Sequence, residues 1–487
     1  MGDAVLVVAD GDPLSYAEIF SRAKRFADFI RQNFGLGTGS RVAIAVREPT
    51  TWIVSFIAIT SIGATAVLIR AEESENARHY LRIARCSLLV TDAVAETSNL
   101  VDTVGICVVA KDEFFSLGRK PNGEDSQLSL PSQGEALISF TSGTTGAPKG
   151  VILTHLGIIT GLMNMMLGGL LAAAESGDAG RHSPSTRRTP CTLVLSPLCY
   201  IGGYSQLLLM LTLGGKVIFS RDRDAASLAS LVESEQVRSI VGINDSQLRE
   251  LMRLKADSGP LTSIGVYGAA LNASLLAEIW EHWPNVVVGS GYGMTETAGS
   301  IAVIAGEALK RNPTSSGRVL PSVQIKVTAS DGRQLAIGEV GEICVRGANL
   351  MRSYCTESGE EQPLRDGWFK TGDIGYLSAD HHLYITGRSS HVLVMNEREI
   401  FYREVEQALM TRHALSEVAV MSGGPEEGPI LSVAAVPARG THTSVESIVH
   451  SLQQHFGFSP AAVKVELLEA LPRSFTGKVD LHQLRKK

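Results

Sequence analysis

The sequence predicts an α/β protein: a large N-terminal domain of two parallel α/β sheet subdomains with a small β-rich subdomain, followed by a mobile α+β C-terminal lid. Three observations predict it. Short apolar strand runs alternate with helical patterns across residues 5–110 and again across 191–289, the signature of a mostly parallel sheet covered on both faces. Between 313 and 384 the pattern shortens to strands separated by glycine turns. After Gly387-Arg388-Ser389-Ser390, strands and amphipathic helices resume as a compact unit. The expected boundaries are 1–387 for the core, 388–391 for a hinge and 392–487 for the lid.

The elements follow in order. Ser15 is placed to cap an amphipathic helix running to Phe34. Strands at 41–46, 65–69 and 87–91 alternate with a buried helix at 52–62 and a second helix at 77–84. Residues 122–134 are polar and read as a loop before the strand 136–140. The uncharged stretches 52–69 and 156–174 are nearly long enough to cross a bilayer. Both carry glycines or polar residues, and the second runs directly from a loop that must be wet. They read as elements of a large α/β core, and no membrane span is expected. Residues 175–190 lack periodicity and read as a surface loop with three arginines.

The second layer has strands at 191–195, 216–219, 239–243, 263–267 and 285–289. Two of their carboxyl ends carry the small-residue turns Gly268-Ala269-Ala270 and Ser290-Gly291-Tyr292-Gly293, where open α/β sheets bind ligands. The β-rich part contributes strands at 323–327, 341–345, 368–376 and 383–385. In the lid, strands 392–394, 417–421, 430–436 and 464–468 accompany helices 403–410 and 444–456.

Composition narrows the function classes. Asp+Glu 50 against Lys+Arg 44 gives a net charge of −6, which disfavours a nucleic-acid partner. Six scattered cysteines without a Cys-x-x-Cys make neither a disulfide framework nor a zinc site, and suit a reducing cytosol. The N-terminus lacks the basic region of a signal peptide. Met1-Gly2 opens like a myristoylation site, but position 6 is Leu. A cytoplasmic location is expected.

The chemistry centres on Thr141-Ser142-Gly143-Thr144-Thr145-Gly146-Ala147-Pro148-Lys149-Gly150, between a strand and an apolar helix. Glycine lets backbone N–H groups turn inward on an anion. The hydroxyls add donors and Lys149 adds positive charge. No Gly-Lys-Ser/Thr triplet closes the loop, so it is a phosphate loop of a kind other than Walker A.

From Phe140 to Val151 this stretch resembles the phosphate loop of the adenylate-forming superfamily, which includes acyl- and aryl-CoA synthetases, nonribosomal adenylation domains and luciferases. Further matches follow in the family's order: Gly291-Tyr-Gly-Met-Thr-Glu-Thr297, Gly367-Trp-Phe-Lys-Thr-Gly-Asp373, Gly387-Arg388 and Pro472-Arg-Ser-Phe-Thr-Gly-Lys478. Five ordered motifs spanning most of the chain are a specific signal.

The resemblance implies ATP-dependent activation of a carboxylic acid, aryl or aliphatic, as an acyl-adenylate with release of pyrophosphate, followed by transfer to a thiol. It implies nucleotide contacts from Thr141, Ser142, Gly143, Thr144, Thr145, Gly146 and Lys149. It places adenine between Gly268-Ala269-Ala270 and Gly291-Tyr292-Gly293-Met294. The Thr295 hydroxyl is implied at the α-phosphate, the Glu296 carboxylate on Mg²⁺, and Asp373 with Arg388 at the ribose. Lys478 is the implied catalytic lysine of the lid, and Ser390 holds the hinge position. The implied acyl pocket takes in Tyr200, Gly202, Ile243, Gly268 and Gly293, with Tyr200 standing where relatives have His.

This sequence departs from the family pattern at His391, where Asp is usual, and at Asn396-Glu397, where a Gly-Gly pair is common. That loop lines the pantetheine tunnel in acyl-CoA synthetases, and the two residues add bulk and charge to it. The expected acceptor is therefore the phosphopantetheine of an acyl or aryl carrier protein, with free CoA as the alternative. Residues 198–210 contain no carboxylate. A substrate ammonium buried there would be unpaired, so a free α-amino acid is disfavoured, and aryl acids stand ahead of aliphatic ones. The rival from another class is a non-catalytic, nucleotide-binding interaction module. It would need a lost catalytic group, yet Lys149, Glu296, Asp373, Arg388 and Lys478 are all present.

Overall fold

A computed structural model describes residues 2–71, 74–92, 105–108, 134–141, 148–175, 189–255, 257–267, 273–395, 398–422, 431–438, 440–473 and 479–485. The chain divides into two units, Met1–Gln324 with Arg346–Phe369, and Ile325–Val345 with Lys370–Lys487.

The first unit holds two sheets. In one, the strands Val287–Met294, Ser263–Tyr267, Ser239–Val241, Cys191–Val194, Lys216–Phe219 and Val5–Ala9 lie side by side in that order, all parallel. Their central side chains Leu193, Ile240, Ile264 and Val288 are essentially buried, as strands covered on both faces require. In the other, Glu135–Thr141, Thr65–Leu68, Arg41–Ala45, Leu88–Thr91 and Gly105–Val108 form a parallel run. The expected pair of parallel α/β layers is therefore present.

Both sheets also carry antiparallel strands that helix–strand alternation does not announce. Gly299–Ala305 pairs antiparallel with Val287–Met294. In the second sheet, Lys149–Thr154, Ser353–Thr356 and Gly359–Glu361 extend the edge beyond Glu135–Thr141, each antiparallel to its neighbour. The expected turn at Ser290–Gly293 is a correction: these residues are extended, because the strand runs on to Met294 and each pairs across to 300–304.

Local signals explain the helices. Ser15 caps Tyr16–Phe34 as expected, in a capping box with Glu18, and Gly35 closes the helix in the left-handed region at φ 64°. Pro49 opens Pro49–Ser61, whose first N–H groups bond the Glu48 carboxylate. The helix His155–Glu175 is long and apolar enough to cross a bilayer by length and composition. It is not buried all round, as its sequence suggested. It packs a stripe of mostly small residues, Gly157, Gly161, Asn164, Gly168 and Ala172, inward. Bulky Ile159, Met163, Met166, Leu167 and Leu170 stay exposed. Small residues let its axis approach the strand Gly299–Ala305: a Cβ on Gly168 would crowd Val303, and one on Gly161 would run into the Ala298 carbonyl.

The second unit contains most of the strands Val323–Thr328, Gly341–Gly347, Phe369–Leu377 and His382–Arg388, neighbours in that order. It also contains the hairpin Val392–Met395 with Arg398–Phe401. A three-stranded sheet follows, with Leu415–Ser422 antiparallel and Val463–Leu467 parallel to Leu431–Pro437. Helices Tyr402–Arg412 and Val445–Phe456 cover one face through Val405, Leu409, Ile448 and Leu452. Leu484 of Leu481–Arg485 joins Met421 and Val436 on the other. This is the α+β architecture expected of the C-terminal segment.

Candidate active site

The expected phosphate loop connects two strands of the second sheet. Thr141 ends one and Lys149 begins the next, and the two are cross-strand partners. The connection is therefore a hairpin, with Lys149 fixed at its exit. Ser142, Gly143, Thr144, Thr145 and Gly146 lie outside the described residues, as do Gly268, Ala269, Ala270 and Lys478.

Thr295 and Glu296 stand on a single 3-10 turn, Thr295–Thr297, after the strand that ends at Met294. The turn is held from both sides. Thr297, fully buried, accepts the Met294 N–H on its hydroxyl at 3.1 Å. The residue after it, Ala298, takes a left-handed φ of 48°, uncommon for a residue with a Cβ. From the segment 349–354 the Asn349 side-chain amide donates to the Thr297 carbonyl at 2.8 Å. The Met351 N–H donates to the Glu296 carbonyl at 2.8 Å, and the Tyr354 hydroxyl donates to Glu296 Oε1 at 2.9 Å.

Tyr354 also joins Glu296 to Lys149. The Lys149 ammonium lies 5.2 Å from the centre of the Tyr354 ring, within cation–π range, and pairs with Glu361 at 3.1 Å. Burial pushes the Tyr354 hydroxyl well above its ordinary pKa and the nearby Glu296 charge adds to the effect, so the phenol stays a donor. The Lys149 pair lowers the Glu361 pKa.

Tyr204, on the helix Ile201–Leu213, is fully buried. Its hydroxyl has no hydrogen-bond partner among the described residues. Burial raises its pKa, with a further push from Glu296. Tyr200 precedes this helix as its N-cap residue with no side-chain cap, and Gly202 lies in its first turn. Ile243 is buried in the hydrophobic core of the parallel sheet. Gly291, Tyr292, Gly293 and Met294 line the strand leading to Glu296. Gly293 is needed for the backbone crossing there, since a Cβ would strike the Gly299 carbonyl.

In the second unit Asp373 and Arg388 are cross-strand partners. Arg388 Nε donates to Asp373 Oδ1 at 2.7 Å, and the Asp373 side chain is only 6% exposed. Ser390 sits in an exposed turn closed by the His391 N–H on the Arg388 carbonyl. Arg473 and Val479 form an antiparallel bridge. Arg473 is itself paired with Glu417 at 2.7 Å.

Sequence reasoning missed Asn349, Tyr354, Glu361 and Tyr204. None sits in a quoted motif, and Asn349, Tyr354 and Glu361 meet their partners only through the tertiary fold.

A family model described as AMP-binding enzyme matches residues 1–355. The chain belongs to this family. Among curated relatives, it is 26% identical to 4-coumarate–CoA ligase 5 of Oryza sativa subsp. japonica over 98% of this chain and 90% of that one. It is 27% identical to 2-succinylbenzoate–CoA ligase of Bacillus cereus (strain ATCC 10987 / NRS 248), over 93% and 89%. Among solved structures, o-succinylbenzoate CoA synthetase (MenE) from Bacillus subtilis, in complex with ATP and magnesium ion, superposes with a TM-score of 0.81. It shares 24% identity over 100% of this chain and 97% of that chain. The fold of this AMP-binding enzyme is thus that of MenE, and the resemblance read from its five motifs holds.

An AMP-binding enzyme of this type implies Mg²⁺ with the nucleotide. Among the described residues no cluster of three or more His, Cys, Asp or Glu side chains could cage a metal. That fits Mg²⁺, which takes one or two carboxylates and keeps water and substrate phosphate as its other ligands. The Glu296 carboxylate, one oxygen of which accepts from Tyr354, would offer such a ligand.

Proposed function

We propose that the protein is an ATP-dependent acid–thiol ligase that activates an aryl carboxylic acid as its adenylate and transfers the acyl group to CoA. The carrying observation is the Lys149–Tyr354–Glu296 arrangement, an ammonium and a carboxylate held by one phenol beside the phosphate hairpin. A metal–triphosphate presents both signs of charge, and such a site meets both. The substrate carboxylate oxygen attacks the α-phosphorus, the bond to the pyrophosphate oxygen breaks, and pyrophosphate leaves. The thiol then attacks the acyl carbon and AMP departs.

In-line displacement needs positioning and charge neutralisation more than covalent help. Lys149 and the loop before it take the β- and γ-phosphates, Thr295 the α-phosphate, and Glu296 the metal. Mg²⁺, when bound, neutralises phosphate charge. Asp373, steadied by Arg388, takes the ribose hydroxyls. The segment after the 388–391 hinge acts as the lid that brings Lys478 to the α-phosphate.

Relatives named as CoA ligases favour CoA over the carrier-protein arm that Asn396-Glu397 suggested. Those two residues lie outside the described residues. Tyr200, where relatives have His, favours an aryl acid, and the absence of a carboxylate from residues 198–210 disfavours a free α-amino acid. The test supplies ATP, Mg²⁺ and either CoA or a holo-carrier protein with a panel of aryl, aliphatic and amino acids and follows the thioester by mass. Aryl-CoA is the expected product. Thioester on a holo-carrier protein with none on CoA would restore the carrier reading, and no adduct with any acid would refute the proposal.

A further inference from the structure

We infer that Tyr354 is the positioning residue that sets Glu296 for the metal, an inference that rests on the reading of Glu296 as metal ligand. Tyr354 is placed by the second sheet: on the strand Ser353–Thr356 it pairs with Val151, two residues beyond Lys149. Its hydroxyl reaches Glu296 Oε1 at 2.9 Å, across 58 residues of sequence.

A tyrosine serving only the fold is satisfied by any carbonyl or water. Here the acceptor is a carboxylate, which makes the bond charge-assisted and fixes one of its two oxygens. The other, Oε2, makes no hydrogen bond among the described residues. The backbone of the same residue is held from the same segment, by the Met351 N–H on its carbonyl, while Asn349 holds the next carbonyl. Main chain and side chain of Glu296 are thus oriented together, with one carboxylate oxygen left over among the described residues. Partners of this kind around a metal ligand typically change metal affinity or activity by about 10- to 100-fold when removed.

The ring has a separable task. Its face carries the Lys149 ammonium, so hydroxyl and ring act on opposite charges of the phosphate site. The two tasks come apart by substitution. Tyr354→Phe keeps the ring and removes the donor, whereas Tyr354→Leu removes both.

The test measures Mn²⁺ binding by the loss of its free electron-paramagnetic-resonance signal, with saturating ATP, alongside calorimetry of ATP binding in EDTA. Tyr354→Phe is expected to raise the half-saturating Mn²⁺ concentration roughly tenfold and to leave metal-free ATP binding unchanged. Tyr354→Leu is expected to weaken both. Glu296→Gln is run in parallel, and thermal melting establishes that each variant is folded. If Glu296→Gln weakens Mn²⁺ binding and Tyr354→Phe does not, the positioning role is overturned while the metal site stands. If Glu296→Gln leaves Mn²⁺ binding unchanged, the metal-ligand reading fails and this inference falls with it.

Discussion

At Lys149 the charge that would meet phosphate is already engaged by Glu361, a pair 39% and 46% exposed. Exposed pairs of this kind contribute little, so a triphosphate displaces Glu361 at small cost. Glu361→Gln is expected to lower the KM for ATP by up to about threefold, with kcat unchanged. A rise in KM would mean that Glu361 orients Lys149 instead of competing for it. Lys478→Ala is expected to cut adenylation by more than roughly a hundredfold while ATP affinity stays near wild type, because its ammonium acts on charge that develops in the transition state. Pyrophosphate exchange and calorimetry on the same folded variant check the two halves. At this scale the sequence exposed the motif residues and hid their supports. Glu296 was legible because it falls in the recognisable run Gly291–Thr297. Tyr354 was not, because only the pairing of the strands at 149–154 and 353–356 carries it to Glu296.

Among the elements, the contact of helix His155–Glu175 with the Glu296 turn depends on Gly161, where a Cβ would strike the Ala298 carbonyl. Gly161→Ala is expected to cost about 1–3 kcal/mol in urea unfolding and to raise the Mg²⁺ requirement by displacing the turn. An unchanged unfolding midpoint would show that the helix can shift freely. The apolar run itself was legible as a helix, but its inward face was not: hydropathy favours the bulky residues, whereas close approach to a strand selects the small ones.

In the second unit, Glu406 of helix Tyr402–Arg412 accepts the Val420 N–H at 3.0 Å, and burial pushes its pKa up to about 7 against the countering Arg403 charge. The folded chain therefore holds this proton to higher pH than the unfolded chain. The linked stability is complete below about pH 4.5 and is lost as pH rises to about 7. Glu406→Gln keeps an acceptor for Val420 and removes the titration. The variant should gain on wild type between these limits, by on the order of 2 kcal/mol, in denaturant melts across pH. A parallel pair of curves would contradict the burial of this carboxylate.

For the whole molecule, the alternation of strands and helices sufficed to predict two parallel layers and an α+β C-terminal segment. The antiparallel strands escaped, since a strand's direction in the sheet leaves no local mark on its residues. Those strands build the site, because Lys149–Thr154 and Ser353–Thr356 hold Lys149 and Tyr354, and Gly299–Ala305 pairs along the strand leading to Glu296. Acid activation by ATP is the central claim, and acid-dependent ATP–pyrophosphate exchange tests it most directly. With Mg²⁺ and radiolabelled pyrophosphate, the purified protein should return label to ATP only when a suitable aryl acid is added, and the Glu296→Gln variant should fail to do so. Exchange at the same rate without any acid, or none across aryl, aliphatic and amino acids with protein that binds ATP, would contradict it.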